Sequence, residues 1–469
     1  MTLLAPIARL PRRTQYGFAV LVGVALLIVW LRMSADNVPG EQMALASLVI
    51  GVSVAPLVIY LFSGPASLLP LMPLNCLFYV TAIAISGFYV MPEVGHAQGV
   101  APAHVQTGLQ IVILGVASQI AAYYLTHAAG GPGRPVPIVA DLSVRELRTM
   151  AWLGALVRGL SLAIPATLTL PSLGQFADLC SWTSIAMLYA LHLQKRLTFA
   201  EQVILFGLVF PMEAAIRLNT GLLANLMLFM LLIALVRWIV VRRVAWVTIG
   251  LLALIVVAFS PVKREYRNQV WWNPQGANMS VLEKSELMVR LAGEYWLDPD
   301  AAERADVGEN ILGRLDQLTI LGIVVVATPE SVPYWGGESF KDGLYVFIPR
   351  ILWPDKPTMT IGNAFGHRYD ILDPGDETTS WNLPWIIEFY ANFGLLGVVA
   401  GMALVGVALA LLERRFGHPD NTKIDAVVAM AITFGLIYPE SNLAMMWGGL
   451  FMSTVAIYAL SRFVHSMRL

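Results

Sequence analysis

The chain has 469 residues, of which 57% are apolar and 13% are charged, and its formal net charge is -1. Soluble domains carry about 25% charged residues, so this composition excludes an ordinary soluble protein and predicts a polytopic membrane protein. The two cysteines, Cys76 and Cys180, do not form a spaced framework for a disulfide or a metal. The sequence has neither a P-loop nor a dinucleotide fingerprint. We expect no cofactor, no metal and no nucleic-acid partner.

The N-terminal region combines the basic residues Arg9, Arg12 and Arg13 with an apolar run from Tyr16 to Trp30. This pattern resembles a secretory signal. The run is long, however, and no small-residue cleavage site follows it, so we expect a retained signal anchor.

Twelve apolar windows follow one another along the chain, each close to the roughly 20 residues needed to cross about 30 Å of hydrocarbon. They are residues 15–33, 42–63, 69–91, 107–128, 149–170, 175–194, 200–217, 219–240, 244–261, 384–412, 423–440 and 444–462. We expect helices, because lipid requires every backbone group to be paired and the alternation of barrel strands is absent. The predicted fold is an all-α polytopic membrane protein with about 12 transmembrane helices.

If the chain crosses the membrane twelve times, the basic residues of the short loops fall on one side of the membrane. The short loops on the opposite side contain only Arg32 and Arg217. The basic set is Arg9, Arg12, Arg13, Arg134, Arg145, Arg148, Lys195, Arg196, Arg242, Arg243, Arg414, Arg415, Lys423, Arg462 and Arg468. By the positive-inside rule both termini are cytoplasmic. Three regions follow: a bundle of nine spans (1–261), one large periplasmic loop between spans 9 and 10 (262–383), and three C-terminal spans (384–469).

The region 262–383 is far longer than an ordinary connection, so it needs structure or function of its own. It opens with a basic, aromatic patch, and residues 281–309 are compatible with an acidic helix. Residues 309–327 show helical spacing of apolar side chains, which predicts a helix either on the membrane surface or packed under the loop. The apolar run 318–327 is too short to span the bilayer.

Residues 343–397 form a polar, aromatic and cationic stretch in an otherwise apolar chain. Pro349, Pro354 and Pro357 fix φ and remove backbone donors, so a stiff irregular loop is expected around Arg350 and Lys356. Irregular backbone is tolerated near a membrane only where protein or water surrounds it. The stretch therefore predicts a site at the membrane surface.

Several short motifs lie in or just before this stretch: FIPRILWPDKP at 347–357, GNAFG at 362–366, EFYANFGLLG at 388–397 and RLDQL at 314–318. Together they resemble the O-antigen polysaccharide polymerases, the Wzy-type family of lipid-linked oligosaccharide polymerases. The number of spans and the single large loop also resemble that family. The specific match covers residues 314–397.

The resemblance implies a metal-independent integral-membrane glycosyltransferase, GT-C-like in fold, in the bacterial inner membrane. Such an enzyme transfers a growing glycan from undecaprenyl pyrophosphate to the non-reducing end of a lipid-linked repeat unit. The product would be O-antigen, capsule or exopolysaccharide. Its partners would be the lipid-linked oligosaccharide, the bilayer, and a chain-length regulator and flippase of the same pathway.

A lipid pyrophosphate leaving group requires cations, and arginine grips phosphate in a fork. Arg350, between Pro349 and the Trp-Pro corner, is the first candidate, and Lys356 and Arg314 follow. The alternative is that Arg350 forms an ion pair with Asp355 or Glu388 and only stabilises the loop.

The attacking sugar hydroxyl requires a base, and Glu388 in the first turns of the tenth span is the first candidate. We expect Asn382 to cap this helix and Pro384 to be tolerated near its start. Trp385, Glu388 and Asn392 should share one face. An ionisable group at the membrane boundary is a site hypothesis by default.

Other interpretations of these residues stay open. Glu388 could pair with Arg350 or Arg217 and anchor the loop. His367 is the alternative base, and Arg368 beside it is a further candidate for binding phosphate.

Within the spans, Glu213 and Arg217 stand four residues apart, which favours an intrahelical pair, although Arg217 could hold a lipid phosphate. Arg158 has no evident partner and is expected to snorkel toward the cytoplasm. Among the aromatic residues of the loop, Trp353 and Trp385 could stack on sugars or belong to an interfacial belt.

Three rival functions are open. An O-antigen ligase uses the same donor but delivers the glycan to a lipid A core. A transporter or flippase would show paired broken helices and charges at the bilayer midplane, whereas the polar residues here gather in one loop. A non-catalytic scaffold of an export complex would not need cations, a carboxylate and aromatic residues in one stretch.

Overall fold

The computed structural model describes residues 11–63, 67–89, 100–130, 133–139, 141–163, 171–219, 221, 223–273, 275–276, 279–298, 316–348, 352–353 and 355–467. Regular structure within these ranges is helical throughout. The chain forms two compact units. The first comprises Met1–Val136, Leu315–Asn421 and Thr433–Met452, and the second comprises Pro137–Arg314, Thr422–Ile432 and Ser453–Leu469.

The helices are named here in chain order. They are α1 Arg12–Ser34, α2 Gly40–Phe62, α3 Leu71–Tyr79, α4 Pro102–Ala129, α5 Val144–Ala163, α6 Pro171–Leu193, α7 Phe199–Asn219, α8 Leu223–Val241, α9 Trp246–Phe259, α10 Lys263–Val270, α11 Val281–Leu297, α12 Leu318–Ala327, α13 Ile361–Arg368, α14 Trp385–Phe416, α15 Lys423–Thr433 and α16 Leu443–Ser466. A π-helical segment, Val80–Ala84, and a 3-10 turn, Ser86–Phe88, continue α3. A further 3-10 helix covers Glu338–Leu344.

Eight of the described helices are long and apolar enough to cross a membrane: α1, α2, α3 with its continuation to Phe88, α4, α7, α8, α14 and α16. The helices α9 and α10 meet at a bend of 66° and would add a ninth span if they cross together. Over the residues that the structure describes, the chain is therefore an all-helical polytopic membrane protein, as the composition predicts. Each of the twelve predicted windows contains helix. The number twelve, the orientation and the periplasmic loop remain predictions.

In the first unit, α14 packs along α4. Small residues let the two backbones approach, as in other membrane helix pairs. A Cβ placed on Gly406 would lie 2.2 Å from the carbonyl oxygen of Gln119, and one on Gly115 would lie 2.8 Å from Val398. This contact fixes α14, the helix that carries the candidate base.

The short apolar helix α12 also packs against α4. Its residues from Leu318 to Val324 are buried. The carboxylate of Asp316 accepts hydrogen bonds from the backbone N–H of Leu318 and of Thr319, at 3.0 and 3.1 Å, and so caps the helix. The prediction named the membrane surface or a position packed under the loop; the contact observed is with the bundle helix α4. Residues 309–315 of the predicted helix lie outside the described residues.

In the second unit, α11 begins at a capping box formed by Ser280 and Glu283. This helix confirms the prediction for 281–297, and residues 299–309 lie outside the described ranges. The apolar face of α11, around Leu287 and Met288, packs with Tyr266 of α10 in one buried cluster. Leu218 of α7 and Phe259 of α9 pack against the same cluster, so the start of the region 262–383 packs onto helices that precede it.

Candidate functional site

The helix α14 is interrupted near its start by Gly394. This residue has φ 62° and ψ -150°, a conformation essentially restricted to glycine. The carbonyl oxygens of Ala391 and Asn392 accept hydrogen bonds from the backbone N–H groups of Trp335 and Gly336, at 3.0 and 3.2 Å. The interrupted helix therefore holds the segment that leads into the 3-10 helix Glu338–Leu344.

Glu388 lies one turn into α14 and is fully buried. Its Oε1 accepts a hydrogen bond from Oγ of Ser339 at 2.8 Å. Its Oε2 accepts one from the backbone N–H of Leu443, the first residue of α16, at 2.7 Å. An ionised carboxylate has about four acceptor positions, so these two bonds leave acceptor capacity on Glu388.

Asn392 completes the network around Glu388. Its Nδ2 donates to Oγ of Ser339 and to the carbonyl oxygen of Glu388, both at 2.8 Å. Its Oδ1 accepts from the backbone N–H of Gly337 at 2.9 Å. Trp385 is also fully buried, and its indole Nε1 meets no hydrogen-bond partner among the described residues. Because both side chains contact Ser339, these contacts confirm that Glu388 and Asn392 lie on the same face of α14.

The predicted cap of α14 is wrong. The helix begins after Pro384, whose side chain cannot accept a hydrogen bond. Asn382 instead donates from Nδ2 to Oε1 of Glu440 at 2.7 Å. The side chain of Asn382 is used to join the segment before α14 to the segment before α16.

Lys356 is held close to the preceding turn. Its Nζ donates to the carbonyl oxygens of Val346 and Ile348, at 3.1 and 3.0 Å. The same nitrogen lies 5.8 Å from the ring centroid of Tyr345, and the ring of Trp353 meets that tyrosine edge-on at 6.0 Å. The hydrogen bond from Tyr345 to a neighbouring aspartate raises the pKa of this tyrosine to about 12, so it is neutral at pH 7. Lys356 and the rings of Tyr345 and Trp353 thus form one surface of the loop between the 3-10 helix and α13.

Arg368, at the end of α13, lies over the ring of Trp335 at 5.4 Å and donates to the carbonyl oxygen of Pro333. Its Nε is buried and has no hydrogen-bond partner among the described residues. Because Trp335 is joined to α14 through Ala391, Arg368 belongs to the same part of the first unit as Glu388.

His367 shapes a polar turn. Its Nε2 lies 2.9 Å from the carbonyl oxygen of Asp376. A carbonyl only accepts, so Nε2 is the donor in this contact. Asn363 donates to the same oxygen at 2.9 Å. Hydrogen bonds from Thr379 and Thr378 hold the pKa of Asp376 down at about 2.

Two predicted site residues, Arg350 and Arg314, lie outside the described residues.

A family model described as a domain of unknown function, DUF8712, matches residues 68–468. The chain belongs to this family. Comparison with curated proteins and with solved structures yields no match.

The opposite end of α14 in this DUF8712 protein carries a second buried carboxylate, Glu413, which the sequence did not single out. It accepts hydrogen bonds from the backbone N–H of Met72 and from the hydroxyl of Tyr123, each at 2.8 Å. These two donors belong to α3 and α4, the helices that pack against α14. Glu413 therefore caps the first turn of α3 and is enclosed by its donors.

In the second unit, Arg217 pairs with Glu213 one turn earlier on α7, as predicted. It also lies 3.7 Å from Asp178 and stacks over the ring of Trp182 at 4.0 Å. Arg158 pairs with Asp178 at 3.3 Å and with Glu213 at 3.4 Å. The expectation that Arg158 snorkels without a partner is wrong. The two arginines and the two carboxylates balance each other in charge. These ion pairs account for a charged Arg217 within a candidate span without a phosphate ligand.

Proposed function

We propose that this DUF8712 protein is a polysaccharide polymerase of the Wzy type in the bacterial inner membrane. The observation that carries the proposal is the fully buried carboxylate of Glu388 at the start of a candidate span, beside a loop that holds cations and aromatic rings. Ionisable groups in such positions are expensive and are a site hypothesis by default. The resemblance of residues 314–397 to the polymerases supplies the reaction.

In the proposed reaction, a hydroxyl of the acceptor sugar attacks the anomeric carbon of the glycan carried on undecaprenyl pyrophosphate. The new glycosidic carbon–oxygen bond forms as the bond from that carbon to the pyrophosphate oxygen breaks. The pyrophosphate leaves with the bonding electrons, and Glu388 takes the proton of the hydroxyl. Base catalysis of this kind contributes typically about 10²- to 10⁴-fold.

The remaining residues have distinct parts in the proposal. Ser339 and Asn392 position Glu388 through the bonds described above. Lys356 and Arg368 supply positive charge for the pyrophosphate, together with Arg350, which the motif resemblance places in the same loop. Trp353, which is 38% exposed, offers a ring face to a sugar. Trp385 is buried and supports the helix rather than contacting sugar directly.

The test is the size distribution of the surface polysaccharide from source cells that lack the gene. Complementation uses the wild type, Arg350→Ala, Arg350→Lys and the control Arg243→Gln, which changes an exposed cation on another part of the chain. We expect single-repeat material without the gene, a full ladder with the wild type and the control, and no ladder with Arg350→Ala. Arg350→Lys keeps the charge but loses the fork, so a weak ladder is expected.

Two results contradict the proposal. Long chains that remain on the lipid carrier in the absence of the gene indicate an O-antigen ligase. An unchanged ladder in the absence of the gene indicates a transporter or a scaffold of the export complex.

A further inference from the structure

A cavity of about 630 Å³ opens where α14 ends in the first unit, at the far end of that helix from Glu388. Its lining residues are Gly133, Arg134, Pro135, Val136, Leu411, Arg414 and Arg415. Arginines make up much of this lining, and none of these residues is acidic. Cavities of this size accommodate small ligands, and the charge selects an anion.

Gly130 and Gly133 leave the space that Arg414 occupies. A Cβ on Gly130, which follows α4, would lie 1.9 Å from Nη1 of Arg414 and 2.3 Å from its Cζ. A Cβ on Gly133 would lie 2.6 Å from the carbonyl oxygen of Arg414. Nη1 of Arg414 also donates to the carbonyl oxygen of Thr126 in the last turn of α4, at 3.3 Å. The close fit of glycine and guanidinium positions the cation at the cavity.

The backbone beside the cavity is held as well. The carbonyl oxygen of Arg415 accepts from the backbone N–H of Val136 at 3.3 Å and from Nδ2 of Asn421 at 3.1 Å. The wall that contains Arg134 is therefore joined to the end of α14.

Leu411 gives the cavity an apolar edge. It precedes Arg415 by one helical turn, so both side chains lie on the same face of α14, and Leu411 is 48% exposed. Leu411 lies one turn before the cationic end of α14, a candidate membrane span, and places an exposed apolar side chain beside the arginines. The cavity thus combines positive charge with adjoining apolar surface.

We propose that this cavity binds the phosphate-bearing head group of an anionic phospholipid, with an acyl chain along Leu411. Arginine forks match phosphate oxygens, and basic pockets at the ends of membrane helices suit such head groups. The negative end of the α14 dipole opposes an anion, but it carries only about half an elementary charge, and the arginines outweigh it. This site is separate from the proposed polymerase reaction and does not depend on it.

The test measures lipid binding to the purified full-length chain by native mass spectrometry. The probes are phosphatidylglycerol, phosphatidylcholine and soluble glycerol 3-phosphate. We expect the wild type to retain phosphatidylglycerol in preference to the other two. The double variant Arg414→Gln/Arg415→Gln should bind it roughly 25-fold more weakly, since each cation near a membrane surface contributes about fivefold. Arg243→Gln, at an exposed arginine outside the lining, should bind like the wild type.

Gly130→Ala tests whether the position of Arg414 in the cavity matters in addition to its charge. Its net charge equals that of the wild type, but the new Cβ displaces the guanidinium of Arg414, so we expect about fivefold weaker binding of phosphatidylglycerol. A melting curve of each variant verifies the fold. Wild-type binding by the double variant or by Gly130→Ala overturns the proposal. The proposal is also overturned if the wild type binds phosphatidylcholine as strongly as phosphatidylglycerol. If it binds glycerol 3-phosphate as strongly, the cavity is a site for soluble phosphate and not for a lipid.

Discussion

The two ends of α14 carry one buried carboxylate each, and the surroundings of the two groups differ. Glu388 and Glu413 are both essentially inaccessible to solvent, and each accepts a hydrogen bond from a backbone N–H at the start of another helix. Both donors to Glu413 belong to helices of the bundle, Met72 of α3 and Tyr123 of α4. Glu388 has two donors, Ser339 and Leu443, one of them from the segment that α14 holds at its glycine break.

The difference separates a structural carboxylate from a candidate reactive one. A carboxylate held between bundle helices, as Glu413 is between α3 and α4, stabilises the fold. A carboxylate with spare acceptor capacity, next to a loop with cations, can receive a proton from a substrate hydroxyl. Burial by itself does not distinguish the two groups.

The largest loss of stability is expected for Glu413→Ala. The change leaves the N–H of Met72 and the hydroxyl of Tyr123 buried without an acceptor, so the free energy of unfolding should fall by roughly 2–4 kcal/mol. Thermal unfolding of the purified protein measures the effect. Glu388→Ala is the matched comparison, with about half the loss, because Leu443 is partly exposed and only the hydroxyl of Ser339 is left fully buried without an acceptor. Equal losses for the two variants would show that the ends of α14 are equivalent.

A smaller effect is expected for Gly394→Ala. An alanine at this φ costs of order 1–3 kcal/mol, and its Cβ would lie 2.6 Å from the hydroxyl of Tyr334. The melting temperature should fall, and protease should cut near Trp335 more readily. Gly51→Ala, in α2, is the control, because a Cβ there meets nothing within 4 Å and alanine favours a helix by about 0.5–1 kcal/mol. Similar melting temperatures for both variants would contradict the docking role of Gly394.

Ser339→Ala tests the support of Glu388. It removes the donor to Glu388 and the acceptor for Asn392, so the free energy of unfolding should fall by about 1–2 kcal/mol. If Ser339 positions the base, the rate of polymerisation should fall while the affinity for the lipid-linked donor stays the same. Ser331→Ala, at an exposed serine in the turn after α12 whose hydroxyl donates to the carbonyl oxygen of Ala327, should behave like the wild type. A change in donor affinity alone would contradict the positioning role.

The smallest effect concerns Asp376, an acidic residue whose hydrogen bonds lie in a surface turn. Its pKa is held at about 2 in the folded turn, below the ordinary value of about 3.9. The stabilisation is therefore complete above about pH 4 and is lost as the pH falls through about 2. Protection of the backbone N–H groups of Thr378 and Thr379, which donate to Asp376, is measured by hydrogen exchange relative to the unstructured rate at each pH; it should be high at pH 4 and lower at pH 2. In Asp376→Ala the protection should be low at both pH values, and protection like that of the wild type would contradict the assignment.

The sequence predicts the helices and part of the site, because both follow from local spacing. The apolar windows locate the helices, and intervals of three and four residues place Glu388 and Asn392 on one face of α14. Ser339, the N–H of Leu443 and the partners of Arg158 come from distant segments, so spacing gives no signal for them. Glu413 lies one residue beyond the window 384–412 and next to Arg414, so it resembles an ordinary charged helix end. Only the packing of α3 against α14 shows that it is buried.

The most direct test of the difference between the two carboxylates is the polymerisation rate of purified protein in vesicles supplied with a lipid-linked repeat unit. Glu388→Gln and Glu413→Gln are compared at matched amounts of folded protein. We predict that Glu388→Gln lowers the rate by about 100-fold or more, while Glu413→Gln stays within about threefold of the wild type because its carboxylate only caps α3. Equal rates for the two variants, or wild-type activity in Glu388→Gln, would contradict the assignment of Glu388 as the base.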